Sequence, residues 1–362
     1  MIRRFHNFTA GPSTLPLEVL QEAQAEFVDY HGAGMALIEM SHRGRHFEQV
    51  HHEAMAMCRK VYQVPDEFQV LFLQGGATLQ FSMVPMNLLR QGTRAAYVDS
   101  GSWAQGAMSD ARHYGEVYAA WDGKSCHYTR MPATDELQLQ TDTCYLHITS
   151  NETIGGTRYV DWPSVDVPLV CDMSSDYMSR PIPWDRFDLV YGGLQKNLGP
   201  AGMALVFVRN SVLEHCNRDI GRYLRYDVHA EKDSMFNTPP VFPIYMLGKI
   251  LNWMDARGGL EAIATEAQAK AAMLYAVIDG SDSYFYCPVD AGSRSVMNVV
   301  FRLTTEELEK RFLEEAESAE LLNLKGHRSV GGCRASIYNA MSRDSVQALA
   351  DFMVDFREHH PV

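Results

Sequence analysis

The sequence predicts an α/β protein in which parallel strands linked by helices form a sheet covered on both faces, followed by a smaller α+β unit. Two patterns carry this reading. Short apolar runs that end in glycine or polar residues recur between longer amphipathic stretches, the rhythm of buried parallel strands and their crossovers. From about Thr238 the texture changes to long helical segments, with a break at Gly258-Gly259. The chain has 362 residues, 46% hydrophobic and 21% charged, enough for one large and one smaller packed unit. We divide it into an N-terminal arm (1–15), a large domain (16–257) and a small C-terminal domain (258–362).

The predicted strands of the large domain are Val70 to Leu73, Ala95 to Val98, Tyr145 to Ile148, Leu169 to Cys171, Leu189 to Tyr191 and Ala204 to Val208, with helices over Leu79 to Leu89 and Trp103 to Tyr114. Helices follow over Tyr245 to Arg257 and Leu260 to Ile278. In the small domain Met297 to Leu303 reads as a strand, and Thr304 with Glu307 as a capping box opening a helix that bears Leu308 and Phe312. Val346, Leu349, Met353 and Phe356 line a last helix.

The net charge is −13, which disfavours nucleic acid and anionic membranes as partners and means that any anionic ligand needs a local basic cluster. No apolar stretch is long enough to span a bilayer and residues 1–16 lack a signal-peptide core, so a cytoplasmic location is expected. Seven scattered cysteines without a C-x-x-C pair indicate neither a disulfide framework nor a zinc site. Phosphate-loop, dinucleotide and nucleophile-elbow motifs are absent.

The informative segment is Tyr191-Gly-Gly-Leu-Gln-Lys196-Asn-Leu-Gly-Pro-Ala-Gly202, a lysine among four glycines after a strand-like run. Burial makes such an amine nucleophilic, fit to hold a carbonyl cofactor and to shuttle protons, although a glycine turn with an incidental lysine has the same composition. Asp172 shifts the balance. It ends the apolar run Pro168 to Cys171, so two successive strands deliver a carboxylate and an amine to one sheet edge, where ligand crevices lie. Pyridoxal phosphate needs this pair: a lysine for its aldehyde and an acid to keep the pyridine nitrogen protonated.

Gln74-Gly75-Gly76-Ala77-Thr78 is a strand-to-helix turn whose free amides suit a phosphate, and Trp103 after the next strand could stack on a flat ring. Two basic clusters, Ser41-His42-Arg43-Gly44-Arg45-His46 and Lys325-Gly-His327-Arg328 to Arg334, suggest anion recognition or a surface salt-bridge patch. The histidines at 42, 46, 51 and 52 have no completing ligand spacing, and no metal is expected.

In order along the chain, Asn7-Phe-Thr-Ala-Gly-Pro12, Ser41 to Gly44, Gly101 to Trp103, Ser150-Asn-Glu-Thr-Ile154, Cys171 to Ser175, Gln195 to Gly202, Asn237-Thr-Pro-Pro240 and Gly326 to Ser336 resemble the bacterial phosphoserine aminotransferase family, within class V of the pyridoxal phosphate enzymes. The resemblance runs nearly end to end. It implies a fold-type I subunit with a mixed, mostly parallel sheet, a homodimer, and transfer of an amino group from glutamate to 3-phosphohydroxypyruvate, giving phosphoserine and 2-oxoglutarate. Some members also serve the pyridoxine pathway through 4-phosphohydroxythreonine. It further implies Lys196 as the cofactor lysine, Asp172 at the pyridine nitrogen, Thr153 at the phenolic oxygen and Trp103 over the ring. Gly76, Ala77 and Gln195, with Asn237 and Thr238 of the other subunit, would hold the phosphate. Arg334 would grip the substrate α-carboxylate, and His42, Arg43, His327 and Arg328 the distal anion. Where some members carry an arginine near the glycine turn, this chain has Ala77 and Thr78. The rivals are a class V enzyme using alanine or serine with glyoxylate, which needs no second anion grip, and a non-catalytic cofactor-binding relative.

Overall fold

A computed structural model describes residues 3–361. In chain order the elements are β1 (His6–Asn7), α1 (Leu17–Glu26), α2 (Arg45–Tyr62), β2 (Phe68–Gln74), α3 (Gly76–Leu88), β3 (Arg94–Asp99), α4 (Ser102–Ala111), β4 (Glu116–Asp122), β5 (Thr143–Thr149), β6 (Leu169–Asp172), β7 (Leu189–Gly193), β8 (Met203–Arg209), α5 (Asn210–Leu213), α6 (Tyr226–Glu231), α7 (Val241–Ala256), α8 (Gly259–Asp279), β9 (Phe285–Tyr286), β10 (Asn298–Leu303), α9 (Glu306–Ser318), β11 (Leu321–Leu322), β12 (Cys333–Ser336) and α10 (Arg343–His359).

Seven strands form the main sheet in the order β2-β8-β7-β6-β5-β3-β4. Pairing is parallel from β7 to β4, whereas β8 runs antiparallel to both β2 and β7. All six predicted strands of the large domain are present. The direction of β8 departs from the parallel rhythm because the nine residues 194–202 between it and β7 are too few for a helical crossover, which needs a dozen or more. The central strands carry apolar residues on both faces. Val70, Phe72, Leu146, Ile148, Val190 and Phe207 pack toward one core with α2 and α7, while Leu71, Leu73, Tyr145, Val170, Leu189 and Val206 pack toward the other with α3 and α4. Period-2 alternation therefore gives two hydrophobic sides rather than one wet face.

The second unit builds a three-stranded sheet, β12-β10-β9, against α8, α9 and α10. Helix α8 belongs to both bodies: Leu260 and Ile263 lie in the first core, and Ala267, Ala271, Leu274 and Ile278 in the other. The N-terminal arm crosses to the far end of the sequence, where β1 pairs in parallel with β11 and Phe8 is fully buried in the small core.

One local reading needs correction. The cap of α9 is Thr305, not Thr304: its Oγ1 accepts from Leu308 N at 3.2 Å, and its extended backbone is the conformation an N-cap requires. With the cap one residue later, the expected Thr304–Glu307 box does not form. The basic cluster at 41–46 is a loop only as far as Gly44; from Arg45 it is the first turn of the 18-residue α2. His51 on that helix is buried and its Nε2 meets the Asp233 carbonyl at 2.8 Å, a packing role.

Candidate active site

Strands β2, β3, β5, β6 and β7 share one direction, so the segments that follow them meet at a single sheet edge, as ligand sites of doubly wound sheets do. There a cavity of about 190 Å³ is lined by Ala10 and Gly11 of the arm, Ala77 and Thr78 at the start of α3, Trp103 at the start of α4, Thr153 and Ile154 after β5, Asp172 at the end of β6 and Ser174 after it, Gln195 and Lys196 after β7, and His327 and Arg334 of the small unit. A larger cavity, about 870 Å³, lies between the arm, α7, α8 and the start of α10; its rim holds the ion pairs Arg257–Glu18 and Arg343–Glu266 and no constellation of reacting groups.

Lys196 sits on the tight connection that makes β8 antiparallel. The arm clamps it: Ser13 N donates to Gln195 O at 2.9 Å, and the Ser13 hydroxyl donates to the Lys196 carbonyl. The amine is buried and donates to Thr153 Oγ1 at 2.7 Å, with the Trp103 ring centroid 5.3 Å away. Burial pushes its pKa down to about 8, against the opposing pull of Asp172 and Glu152.

Asp172 is buried at the end of β6, in register with Tyr191 on β7. Ser174 donates to its Oδ1 twice, from N at 2.8 Å and from Oγ at 2.6 Å, which fixes the carboxylate and keeps Oδ2 for a ligand. Burial raises its pKa, while the Ser174 bonds and Lys196 lower it. The turn before α3 has Gly75 at φ 93° and Gly76 at φ 62°, and a Cβ at Gly75 would stand 2.6 Å from Leu79 Cδ2, so glycine is required there. Beyond it the free amides of α3 open toward the cavity. The side-chain Oε1 of Gln195 is buried with no partner. Arg334 donates to Thr153 O at 3.1 Å, tying the small unit to the cavity floor; burial lowers its pKa.

The remaining sequence-derived candidates lie outside this cavity. Gly76 is in the turn but does not line it; His42, Arg43, Arg328, Asn237 and Thr238 are on loops and do not line it, all but His42 exposed. Thr238 O accepts from Gln74 Nε2 at 3.1 Å, so that loop passes the outer end of β2.

Sequence reasoning missed Ser174 and Glu152. Glu152 is buried and accepts from Ser100 Oγ and Ala104 N at 3.1 Å and from Trp103 N at 3.3 Å, holding the first turn of α4 that presents Trp103. Burial lifts its pKa to about 7. A Cβ on Gly101 would press to 2.9 Å from the Glu152 carboxyl carbon, so glycine makes room for it.

A family model described as "Aminotransferase class-V" matches residues 5–349. The chain belongs to this family. It is an aminotransferase whose cofactor is pyridoxal phosphate. Among similar proteins, the phosphoserine aminotransferase of Laribacter hongkongensis is 52% identical over 355 residues, spanning 98% of this chain and 99% of the relative; that of Lysinibacillus sphaericus is 48% identical over 361 residues, spanning 99% and 100%. The solved phosphoserine aminotransferase of Bacillus circulans subsp. alkalophilus superposes with a TM-score of 0.97 at 47% identity, covering 98% of this chain and 99% of that one. A pyridoxal phosphate-bound phosphoserine aminotransferase from Trichomonas vaginalis gives 0.92 at 35% identity, covering 97% and 100%.

The donor set fits the cofactor: a buried amine, a fixed carboxylate on the neighbouring strand, a hydroxyl beside the amine, an indole face, and a helix start for a phosphate. Because the neutral amine is the reactive form and burial holds the Lys196 pKa down to about 8, the rate at which apoprotein captures added pyridoxal phosphate will rise with pH through a midpoint near 8. Stopped-flow absorbance measures it; a midpoint near 10, the value of an exposed lysine, would contradict the burial argument.

Proposed function

We propose that the protein transfers the amino group of L-glutamate to 3-phosphohydroxypyruvate, yielding O-phospho-L-serine and 2-oxoglutarate, the aminotransferase step of serine biosynthesis. The observation that carries this reading is the cavity in which Lys196, Asp172 and Thr153 face Arg334 and His327. Both amino acids have an α-amino acid head and an anionic tail, so a single arginine and one separate basic group serve both half-reactions. A glyoxylate-using enzyme has no need of the second grip, and full-length relatives with the phosphoserine name favour the first reading.

When bound, pyridoxal phosphate supplies an aldehyde that takes up an amino group and a protonated ring that draws electrons from the carbon being deprotonated. In our reading Lys196 would hold the cofactor and, as a free amine beside the substrate Cα, would take its proton as general base and return one as general acid. Asp172 keeps the ring nitrogen protonated, Thr153 donates to the phenolic oxygen, and Trp103 covers the ring. Gly76, Ala77 and Gln195 hold the phosphate; Thr78, at the same helix start, joins them. Arg334 orients the α-carboxylate, and its anchor on Thr153 O places that grip beside the reacting carbon.

We further propose a homodimer. The segment 20–38, directly before His42 and Arg43, exposes Leu20, Phe27, Val28, Met35 and Ile38 to solvent, Val28 at 78%, which is unusual for a surface that stays uncovered. A second copy seated there lets His42, Arg43, Asn237 and Thr238 complete the neighbouring cavity, since none of them lines its own. Arg328 follows His327 directly on the same exposed loop and joins the anion grip in this reading. A cytoplasmic location belongs to this reading and agrees with seven free thiols.

Titrating the yellow holoenzyme with O-phospho-L-serine tests the substrate: loss of the visible band supports it, and a band that answers only to alanine or serine overturns it. Arg43→Leu is expected to raise KM for phosphoserine about tenfold or more, the worth of a charged hydrogen bond, with the cofactor spectrum unchanged. Equal kinetics for the two proteins would remove Arg43 from the anion grip.

A further inference from the structure

Behind the cavity wall, a closed set of uncharged hydrogen bonds joins the small unit to the cofactor strands. Asn298 stands on β10 between Met297 and Val299 and is fully buried, a setting in which an amide is tolerated only when its bonds are all made. They are made on both sides. Its Nδ2 donates to Ser336 Oγ at 2.9 Å and to Tyr338 Oη at 3.1 Å within the small unit, and its Oδ1 accepts from Asn151 Nδ2 at 2.8 Å across the seam. Asn151 is satisfied in turn: its Nδ2 also reaches Ser175 Oγ at 2.8 Å, and its Oδ1 accepts from Ser295 Oγ at 2.5 Å. The Tyr338 hydroxyl donates to Ala10 O at 2.8 Å, beside the arm residues that line the cavity.

We propose that Asn298 is a positioning residue that sets the place of Arg334 relative to the cofactor bed. The inference rests on the reading of Arg334 as the grip on the substrate α-carboxylate. Ser336 and Arg334 are two residues apart on β12 and so share a face, with Ser336 opposite Asn298 and Arg334 opposite Val300 in the β10–β12 register. On the other side, Asn151 lies two residues before Thr153, whose carbonyl accepts from Arg334 Nη1. A ring is thus closed: Asn298 to Asn151, along the chain to Thr153, across to Arg334, along β12 to Ser336, and back to Asn298. Apolar contacts alone would let the two units slide by fractions of an ångström, whereas directional bonds in a dry seam fix one arrangement. The energy of the substrate contact depends on that placement.

Cutting the ring at Asn298 frees Arg334 and leaves Lys196, Asp172 and the turn before α3 in place. In the holoenzyme, Asn298→Ala is expected to raise KM for both glutamate and O-phosphoserine about tenfold, with kcat within about twofold. Cofactor affinity, read on the apoprotein by quenching of intrinsic tryptophan fluorescence, should stay within about twofold. Ser336→Ala, a gentler cut, should move KM in the same direction and serves if Asn298→Ala fails to fold. Arg334→Lys is run alongside. If Arg334→Lys leaves KM unaltered, the reading of Arg334 falls and the inference with it. If Arg334→Lys raises KM while both ring variants keep the wild-type KM, the positioning role alone is overturned. A loss of cofactor affinity and kcat in step with KM would overturn it too, reducing Asn298 to a scaffold residue.

Discussion

Lys196→Ala will abolish turnover, by about 10⁴-fold or more, and with it the visible absorbance of lysine-bound cofactor. Proton transfer by a positioned side chain is by itself worth about 10²–10⁴-fold, and in our proposal this residue would also hold the cofactor covalently. No other group in the cavity can substitute. Lys270, the other buried lysine among the described residues, donates to Tyr338 O at 2.7 Å and Met341 O at 2.9 Å in the small core, far from the sheet edge in chain connectivity and absent from the cavity lining. The substitution removes one hydrogen bond, to Thr153, and leaves the Ser13 clamp on the main chain intact, so the variant should fold. Turnover assays and the visible spectrum check this; persistence of either signal would move the reacting lysine elsewhere.

Asp172→Asn is expected to lower kcat by about 10²–10³-fold, the scale of losing one preorganised electrostatic partner, while melting temperature and gross cofactor binding change little. The amide has the shape of the carboxylate, and its oxygen can keep both bonds from Ser174, so the local structure has no reason to shift. What changes is the far side. A neutral amide turned toward the ring nitrogen donates rather than accepts and cannot hold a proton there. The loss should therefore fall on kcat and spare the KM for glutamate. A variant with wild-type kcat would show that the carboxylate only caps its own turn.

The amine and the carboxylate were legible in the sequence because each ends or directly follows an apolar run of strand length, and parallel neighbours emerge at one edge; β6 and β7 are such neighbours. The glycine turn before α3 was legible for the same reason. The direction of β8 was not, since an apolar run looks the same in either sense and only the shortness of the connection reveals it. Strand β4 escaped notice because it edges the sheet and exposes Glu116, Ala119 and Asp122 along its length. Helix α2 was hidden by its histidines and charges, although Phe47, Val50, Ala54, Cys58 and Val61 recur at helical spacing on its buried face. Glu152 and Asn298 gave no signal at all. Their partners come from distant segments, and a single acid or amide beside apolar residues looks like a turn former until the fold brings its donors together.

The pairing of β1 with β11 has a consequence for the order of assembly. Residues 6–8 are synthesised long before the strand they join, which lies more than 300 residues further along the chain, and before the residues from Ala267 onward that enclose Phe8. Until β11 has emerged the arm lacks its strand partner, and the small core cannot close around Phe8. Because the same arm places Ser13 on the loop of Lys196, docking of the arm against β11 ties a late-made strand of the small unit to the clamp at the cavity edge of the main sheet.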